Sequence, residues 1–497
     1  MTKLVVLQLD GDLRETGFKV TLALGEEGQR PDVEVMGTLP PNPELAGCLQ
    51  NHWQEKYAQL SLAYPHRIKP VKIDRLYPQE RWIRIQKCQE SALSLRHSFH
   101  MWLESETFIP IQICLREELR LEDNIRIIVQ TGDRNVKKLP WHSWDFVRRY
   151  PKAEVALSSL GSYSPLPPAT PKSRHVQILA ILGQSEGVDI DRDRQLLESL
   201  PNAEVTFLVE PTRREVNDKL LGRDWNIFFF AGYSATEGNT GRLYINSEDT
   251  LEVRDLWYSL RKAIDRGLSL AILNSCDGLG MGQELEELGV PVSIVMSDII
   301  PDRVAQEFLK YFLSAFSSNR PLYQSVREAR EQLQALENEI PCASWLPIIY
   351  QNPAASTPNW SDLYRPELPT WKTSLIGKLE SWIQKAKRLF SKKDEIDIWL
   401  KELEDTNENI RDRSAYKLGI LGEDKAVPYL CKSLTRDRSD RVRWQIAMAL
   451  GKIGSETAIP ALCEALSDDS SNAVRLKAAE ALGQIGQKNG QKNNHNK

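Results

Sequence analysis

The C-terminal part of the chain repeats itself every 32 residues, and a chain with this property has little choice of fold there. Gly419, Gly451 and Gly483 stand in register, as do Leu418, Leu450 and Leu482, and Gly422, Gly454 and Gly486. Ile410, Val442 and Val474 match, each followed by an arginine: Arg411, Arg443 and Arg475. Asp405, Asp437 and Asp469 keep the interval; Pro428 and Pro460 match, with Ile396 in that place in the first unit. The unit reads AxPxLxxxL, a polar turn, then VRxxxAxxALGxIG. That is a pair of helices whose apolar stripes stay open until a neighbouring unit covers them. The glycine ending the second helix permits a left-handed cap. Arginines and aspartates at this interval predict ion pairs between units or a charged partner-facing side, with Arg411, Arg443 and Arg475 as candidate partner-binding residues.

These units resemble HEAT-like repeats of the short kind found in phycobilin-lyase-related proteins. The resemblance runs over 396–486, inside a repeat domain placed at 394–486. About three units is the smallest stack that buries a continuous core. The polar residues 487–497, KNGQKNNHNK at their end, read as a disordered tail. Ahead of the stack, Trp371, Leu375, Leu379, Trp382, Ile383, Ala386 and Phe390 share one helical face. Lys372, Lys378, Lys385, Lys387 and Arg388 lie opposite, with Lys392 and Lys393 beyond. This basic amphipathic helix at 371–393 either caps the first repeat or contacts an anionic membrane surface peripherally.

Upstream the pattern is α/β. Short β-rich runs, KLVVLQLD, FKVTLALG and DVEVMG, predict a hairpin or meander. Helical periodicity follows over 43–62 and 83–104, then the strand IRIIVQ and a packed corner, LPWHSWDF, with His142 as a weak catalytic candidate. Pro-rich residues 164–172 form a connector. Beyond it VQILAIL, VTFLV, NIFFFAG, LSLAILNS and VSIVM alternate with helical stretches, and SWLPIIY closes the series. Continuous apolar strands between helices predict a mostly parallel sheet covered on both faces. A second proline-rich linker spans 352–370.

In this α/β part NSCDGLG ends a strand, where open sheets place their reactive groups. A cysteine there, before a helix, lies near amide dipoles that lower a thiol pKa and can bind an oxyanion. The bland alternative is that Cys276 is a small side chain packed at a strand end. IFFFAG, LNSCDGLG, GVPVSIVM, PDRVAQEFLKYF and PLYQSVREAREQL, in this order, resemble the CHAT domain, a caspase-like family related to separase and caspase cysteine peptidases. The resemblance covers 175–351, and the α+β region 1–163 looks like the segment preceding the domain in cyanobacterial members. It implies a catalytic histidine directly after the Ala-Gly of the first motif and a cysteine nucleophile in the second. Cys276 matches; the first motif reads Ala231-Gly232-Tyr233-Ser234, with Tyr233 in the histidine's position. A tyrosine of pKa near 10 is deprotonated to about one part in a thousand at pH 7 and is no effective base. Losing the general acid as well costs about 10²–10⁴ in rate.

Other chemistry is excluded on composition and spacing. A formal net charge of −4 indicates no general basic face for nucleic acid. The seven cysteines include no CxxC, so neither a disulfide framework nor a zinc ribbon fits, and no metal or other cofactor is expected. His97 and His100 share a helix face without further ligands. Gly278, Gly280 and Gly282 miss the dinucleotide fingerprint, because Gln283 stands where the third glycine belongs. Glu186, Asp189, Asp191 and Asp193 read as solvated helix-start charges. MTKLVVLQLD is no signal peptide and no run is long enough to span a bilayer, so a cytoplasmic location is expected.

Two functions follow. In the first, the repeats bind a protein partner, phycobilisome-related by the resemblance, and the caspase-like domain is a degenerate scaffold or regulator. In the second, Cys276 is the nucleophile of an active cysteine endopeptidase with a non-standard base. Its oxyanion would be held by backbone N–H groups of Cys276 and of Tyr233 or Ser234.

Overall fold

The computed structural model describes residues 2–62, 78–161, 173–184, 189–237, 240–276, 278–365 and 392–494. They form two compact units, Met1–Glu367 and Leu368–Lys497. Residues 164–172 and most of the amphipathic stretch 371–393 lie outside the described residues.

The first unit is built on one eleven-stranded sheet. Its strands are β1 (Thr2–Asp12), β2 (Gly17–Glu26), β3 (Val33–Leu39), β4 (Asn124–Thr131), β5 (Ala153–Ser158), β6 (Val176–Leu182), β7 (Ala203–Val209), β8 (Ile227–Ala231), β12 (Leu270–Asn274), β13 (Val292–Met296) and β14 (Pro347–Gln351). A separate small sheet holds β9 (Ser234–Glu237), β10 (Thr240–Tyr244) and β11 (Thr250–Glu252). The large sheet runs β3-β2-β1-β4-β5-β14-β13-β12-β8-β6-β7. It is antiparallel at β3-β2-β1 and β13-β14 and parallel elsewhere. The meander expected at the start is therefore present as β1–β3, at one edge of the same sheet that carries the parallel strands. The sheet also crosses the interval 163–175 at which the sequence divides into two regions, because β5 pairs with β14.

The helices are α1 (Pro43–Gln50), α2 (Pro78–Leu103), α3 (Ile109–Glu118), α4 (Arg134–Lys137), α5 (Asp145–Arg149), α6 (Ile190–Glu198), α7 (Arg213–Gly222), α8 (Trp257–Arg266), α9 (Leu279–Leu288), α10 (Asp302–Ser317) and α11 (Leu322–Leu333). Every residue of β6, β8, β12 and β13 is buried, as the unbroken apolar runs require of strands covered on both faces. β5 was not legible as a strand. AEVALS has weak β propensity, and it is a strand because β4 and β14 bond to it on either side.

Arg330 ties this junction together. Its guanidinium, nearly fully buried, donates to Ser344 O at 2.7 Å and Pro347 O at 2.8 Å and meets Glu154 Oε2 at 3.3 Å. One side chain thus fastens α11 to β5 and to the start of β14.

The second unit consists of α12 (Lys392–Glu402), α13 (Glu408–Leu421), α14 (Val427–Arg436), α15 (Asp440–Ile453), α16 (Ile459–Asp468) and α17 (Asn472–Asn494). Pro428 and Pro460 occupy the first turns of α14 and α16, where the missing N–H costs nothing. Gly422 (φ 68°) and Gly454 (φ 81°) are the left-handed caps expected of them. Gly486 is not: α17 runs on through Asn494, so the described part of the polar tail is helical. Extending a helix already nucleated by packing requires far less than starting one.

Of the two alternatives for the repeated arginines, Arg411 and Arg443 take the ion pairs between units. Arg411 grips Asp437 of the next unit with two bonds, 2.7 and 2.9 Å, and Arg443 grips Asp469 at the same two distances. Both arginines are buried. Arg475, at the last unit, bonds Asp469 O and Asn472 Oδ1. As partner-binding candidates, Arg411 and Arg443 are thus already engaged within the stack. The fork of one unit needs a carboxylate, and the next unit supplies it 26 residues on.

The glycines Gly419 and Gly483 hold the same place in the repeat with opposite surroundings. A Cβ at Gly419 would come within 2.9 Å of Ala449 Cα and Cβ, whereas at Gly483 it would meet nothing within 4 Å. We expect Gly419→Ala to destabilise the repeat unit by about 1–3 kcal/mol through overpacking. Gly483→Ala should stabilise it by up to about 1 kcal/mol through helix propensity. Denaturant midpoints of the two variants, falling on opposite sides of the parent chain, check this.

Candidate active site

The parallel pairing of β8 with β12 decides what meets what. Ala231 lies opposite Asn274, the last residue of each strand, so Tyr233 and Cys276 both follow two residues later on adjacent chains. The structure brings the two motifs together as the sequence order implies. Gly232, directly before Tyr233, has φ 152° and lies against Gly183, where a Cβ would come within 3.2 Å. A side chain there would be strained and crowded at once.

Tyr233 is 1% exposed and its backbone is pinned on both sides: its N–H donates to Gln184 O at 3.0 Å, and Tyr244 N–H donates to its carbonyl at 3.0 Å. Ser234 Oγ donates to the carbonyl of Cys276, closing the first motif onto the second. Ser234 and Cys276, the residues expected to offer oxyanion donors, are therefore in contact, and both are buried.

Cys276 is 0% exposed. Its sulfur accepts from Ile300 N–H at 3.2 Å and lies 3.7 Å from Ile300 O. The chain after β13 covers the thiol, a feature the motif pattern did not signal. This cover is itself held from the N-terminal part of the unit: Tyr57 Oη donates to Ile299 O at 2.8 Å, and Lys138 Nζ bonds Asp298 at 2.8 Å. Burial, with Asp298 adding to it, pushes the Tyr57 hydroxyl well above its ordinary pKa, so it remains a donor.

Asn274, just before the motif's Ser-Cys, donates to Asp193 Oδ1 and to Ala305 O, each at 3.4 Å. Asp193 is fully buried, which corrects its reading as a solvated charge: α6 turns it toward the end of β12. Asp189, by contrast, caps α6 by accepting from Arg192 N–H. Glu186 and Asp277 lie outside the described residues. Gly282 is required by packing, since a Cβ there would strike the Tyr350 ring at 2.5 Å.

The described histidines lie elsewhere, His97 exposed on α2. His52 bonds Ser91 Oγ at 2.8 Å, and His100 donates to Ser143 O at 2.7 Å. His142 lies edge-on to Trp345 at 5.9 Å between ring centroids. His175 precedes β6 at the end of the sheet opposite Tyr233, because β6 and β8 are parallel. His66 lies outside the described residues. Among the described residues no helix is long and apolar enough to cross a membrane.

Comparison with known proteins agrees with this architecture. The family model for the CHAT domain matches residues 7–365, and that for HEAT repeats matches 396–488. No curated protein sequence matches the chain. Among solved structures, the Arg specific cysteine proteinase gingipain R is similar at 9% identity and a TM-score of 0.35, over 50% of this chain and 68% of that one. Raptor from Chaetomium thermophilum is similar at 9% identity and a TM-score of 0.25; the match covers 65% of this chain and about half, 48%, of Raptor. With a family model spanning most of its length and a sheet that joins the motifs in the family's order, the chain belongs to the CHAT domain family, and it carries HEAT repeats after that domain.

Proposed function

We propose that this protein works by binding rather than by cleavage: its HEAT repeats take up a protein partner, and its CHAT domain acts as a non-proteolytic scaffold or regulator. One observation carries the reading. The only candidate nucleophile of the two family motifs, Cys276, is sealed from solvent with its sulfur bonded to the Ile300 backbone, beside a tyrosine where the family places its base. A nucleophile sealed from any substrate gains nothing from the strand-end position it occupies.

The repeats offer a place for the partner. A cavity of about 340 Å³ in the first repeats is lined by Leu400, Leu403 and Tyr429, with Lys432, Arg436 and Arg438 set among Glu404, Asp405 and Asp437. An apolar floor with charges of both signs around it suits a peptide segment with an apolar anchor and polar flanks. Phycobilisome-related proteins are the first partners to test, on the likeness of the repeats to those of phycobilin lyases.

The deciding measurement is alkylation of the native full chain, followed cysteine by cysteine by mass spectrometry. Exposed Cys463 should label first, and Cys276 roughly 100-fold more slowly, at the rate of local opening. Partner capture should survive Cys276→Ala and fall with Tyr429→Ala. Fast labelling of Cys276 with a thiolate titrating well below about 8.5, or cleavage of a substrate abolished by Cys276→Ala, would replace this reading with an active endopeptidase.

A further inference from the structure

Three side chains that the candidate active site does not use meet inside the CHAT domain. His52 comes from the π-helix Asn51–Tyr57 that follows α1, Cys88 from α2, and Cys342 from the loop before β14. All three are buried. The imidazole nitrogen and the two sulfurs lie within 4.8 Å of one another, and His52 Nε2 is 3.6 Å from Cys342 Sγ. A tetrahedral zinc, with bonds of about 2.3 Å to sulfur and about 2.0 Å to nitrogen, holds such a pair about 3.5 Å apart.

The neighbours of His52 select the tautomer a metal needs. Ser91 Oγ donates its one proton to Cys88 O at 2.9 Å. Its 2.8 Å contact with His52 Nδ1 is therefore a bond in which Nδ1–H donates and the serine oxygen accepts. The proton is thus on Nδ1, and Nε2 faces the sulfurs with its lone pair. Such an outer-shell bond is the usual support of a metal-ligating histidine. Burial lowers the His52 pKa to about 4, so the ring is neutral at pH 7. Cys342 holds φ 61°, a left-handed conformation rarely adopted by an L side chain, and from it the sulfur reaches the histidine. Trp53, Tyr57 and Trp345 wall the imidazole at centroid distances of 4.9, 6.3 and 5.5 Å.

Packing alone would leave this cluster as two thiols and a neutral ring joined by weak sulfur hydrogen bonds, with burial pushing the Cys342 thiol well up. Two sulfurs and an imidazole nitrogen, converging where all three side chains are buried, are instead the donor set that soft d¹⁰ cations prefer. Two thiolates also cancel the charge of a dication, so a loaded site buries no net charge.

We propose that His52 Nε2, Cys88 Sγ and Cys342 Sγ form a metal site for a soft d¹⁰ cation, zinc by charge balance, which staples the N-terminal helices to the loop preceding β14. Loading displaces the two thiol protons to solvent as the two metal–sulfur bonds form.

The test uses the full chain, kept reduced, equilibrated with zinc and dialysed. Elemental analysis should find about one zinc per chain, falling below about a tenth in Cys88→Ser/Cys342→Ser. Because those serines could unfold the domain, cobalt(II) loading of the unsubstituted chain is the second measurement. It should give thiolate-to-cobalt charge-transfer absorption in the near ultraviolet. Copper(I) displacing zinc from the same residues would support the site and change its ion. No retained zinc and no cobalt band would overturn the proposal. So would a Cys88–Cys342 disulfide found by mass in chain isolated without reductant.

Discussion

Arg411→Ala should cost the repeat unit about 3–5 kcal/mol, the usual loss when one partner of a buried ion pair is removed. The alanine leaves Asp437 inside the stack with its side chain only 5% exposed and no guanidinium to meet it. It also removes the bonds that Arg411 Nη1 makes to the carbonyls of Asp405 and Thr406 at 2.9 and 3.1 Å, leaving Thr406 with Arg438 at 3.2 Å. Hydrogen exchange read on peptides spanning 405–440 of the full chain should show the loss. Arg411→Lys should recover only part of it, since an ammonium cannot offer the paired bonds of a guanidinium. The pair also sets a pH dependence. Burial works to raise the Asp437 pKa, but hydrogen bonds from Arg411 and Ser439 N–H overcome it and hold the carboxyl below its ordinary 3.8. Asp469 is likewise lowered, first by its bond to Arg443. A carboxylate with a depressed folded pKa stabilises fully above its unfolded value and loses that contribution as pH falls through the folded one. The repeat unit should therefore hold its stability down to about pH 4 and lose it below; Arg411→Ala should flatten that acid limb.

Arg330→Met should be comparably severe in the first unit, again about 3–5 kcal/mol. It strands Glu154, whose side chain is 2% exposed, and leaves the carbonyls of Ser344 and Pro347 without their donor. The damage falls where β14 bridges the two halves of the sheet, so exchange protection should drop first in β5 and β14. The double variant Arg330→Met/Glu154→Gln should regain part of the loss, because it removes the uncompensated charge. If Arg330→Met alone left these strands protected, the junction would not depend on this side chain.

Much of this protein was legible in its sequence because the signals are local or periodic. The 32-residue interval specifies paired helices, and the apolar runs from VQILAIL to VSIVM specify buried strands. The spacing of IFFFAG and LNSCDGLG marked the two loops that β8 and β12 bring side by side. Tyr233 in the histidine's position was visible as a letter. What it accompanies, a thiol covered by Ile300 and held down from Tyr57 and Lys138, was not, because that cover joins residues 24, 242 and 160 positions apart.

The same divide explains the departures. Asp193 looked solvated beside other acids, yet α6 turns it into the core. Arg411 and Arg443 had two expected uses, and the structure gives each to the next repeat's aspartate rather than to a partner-facing side. β5 carried no strand signal, and His52, Cys88 and Cys342 show no ligand spacing, with His52 and Cys342 290 residues apart. Sequence by itself determined the elements, their order and the chemistry available at each strand end, because hydrophobic periodicity and turn residues act over a few positions. Only the tertiary structure decided which polar groups are buried and with what partners, because the cost of burying a charge or a thiol depends on neighbours that the chain supplies from far away.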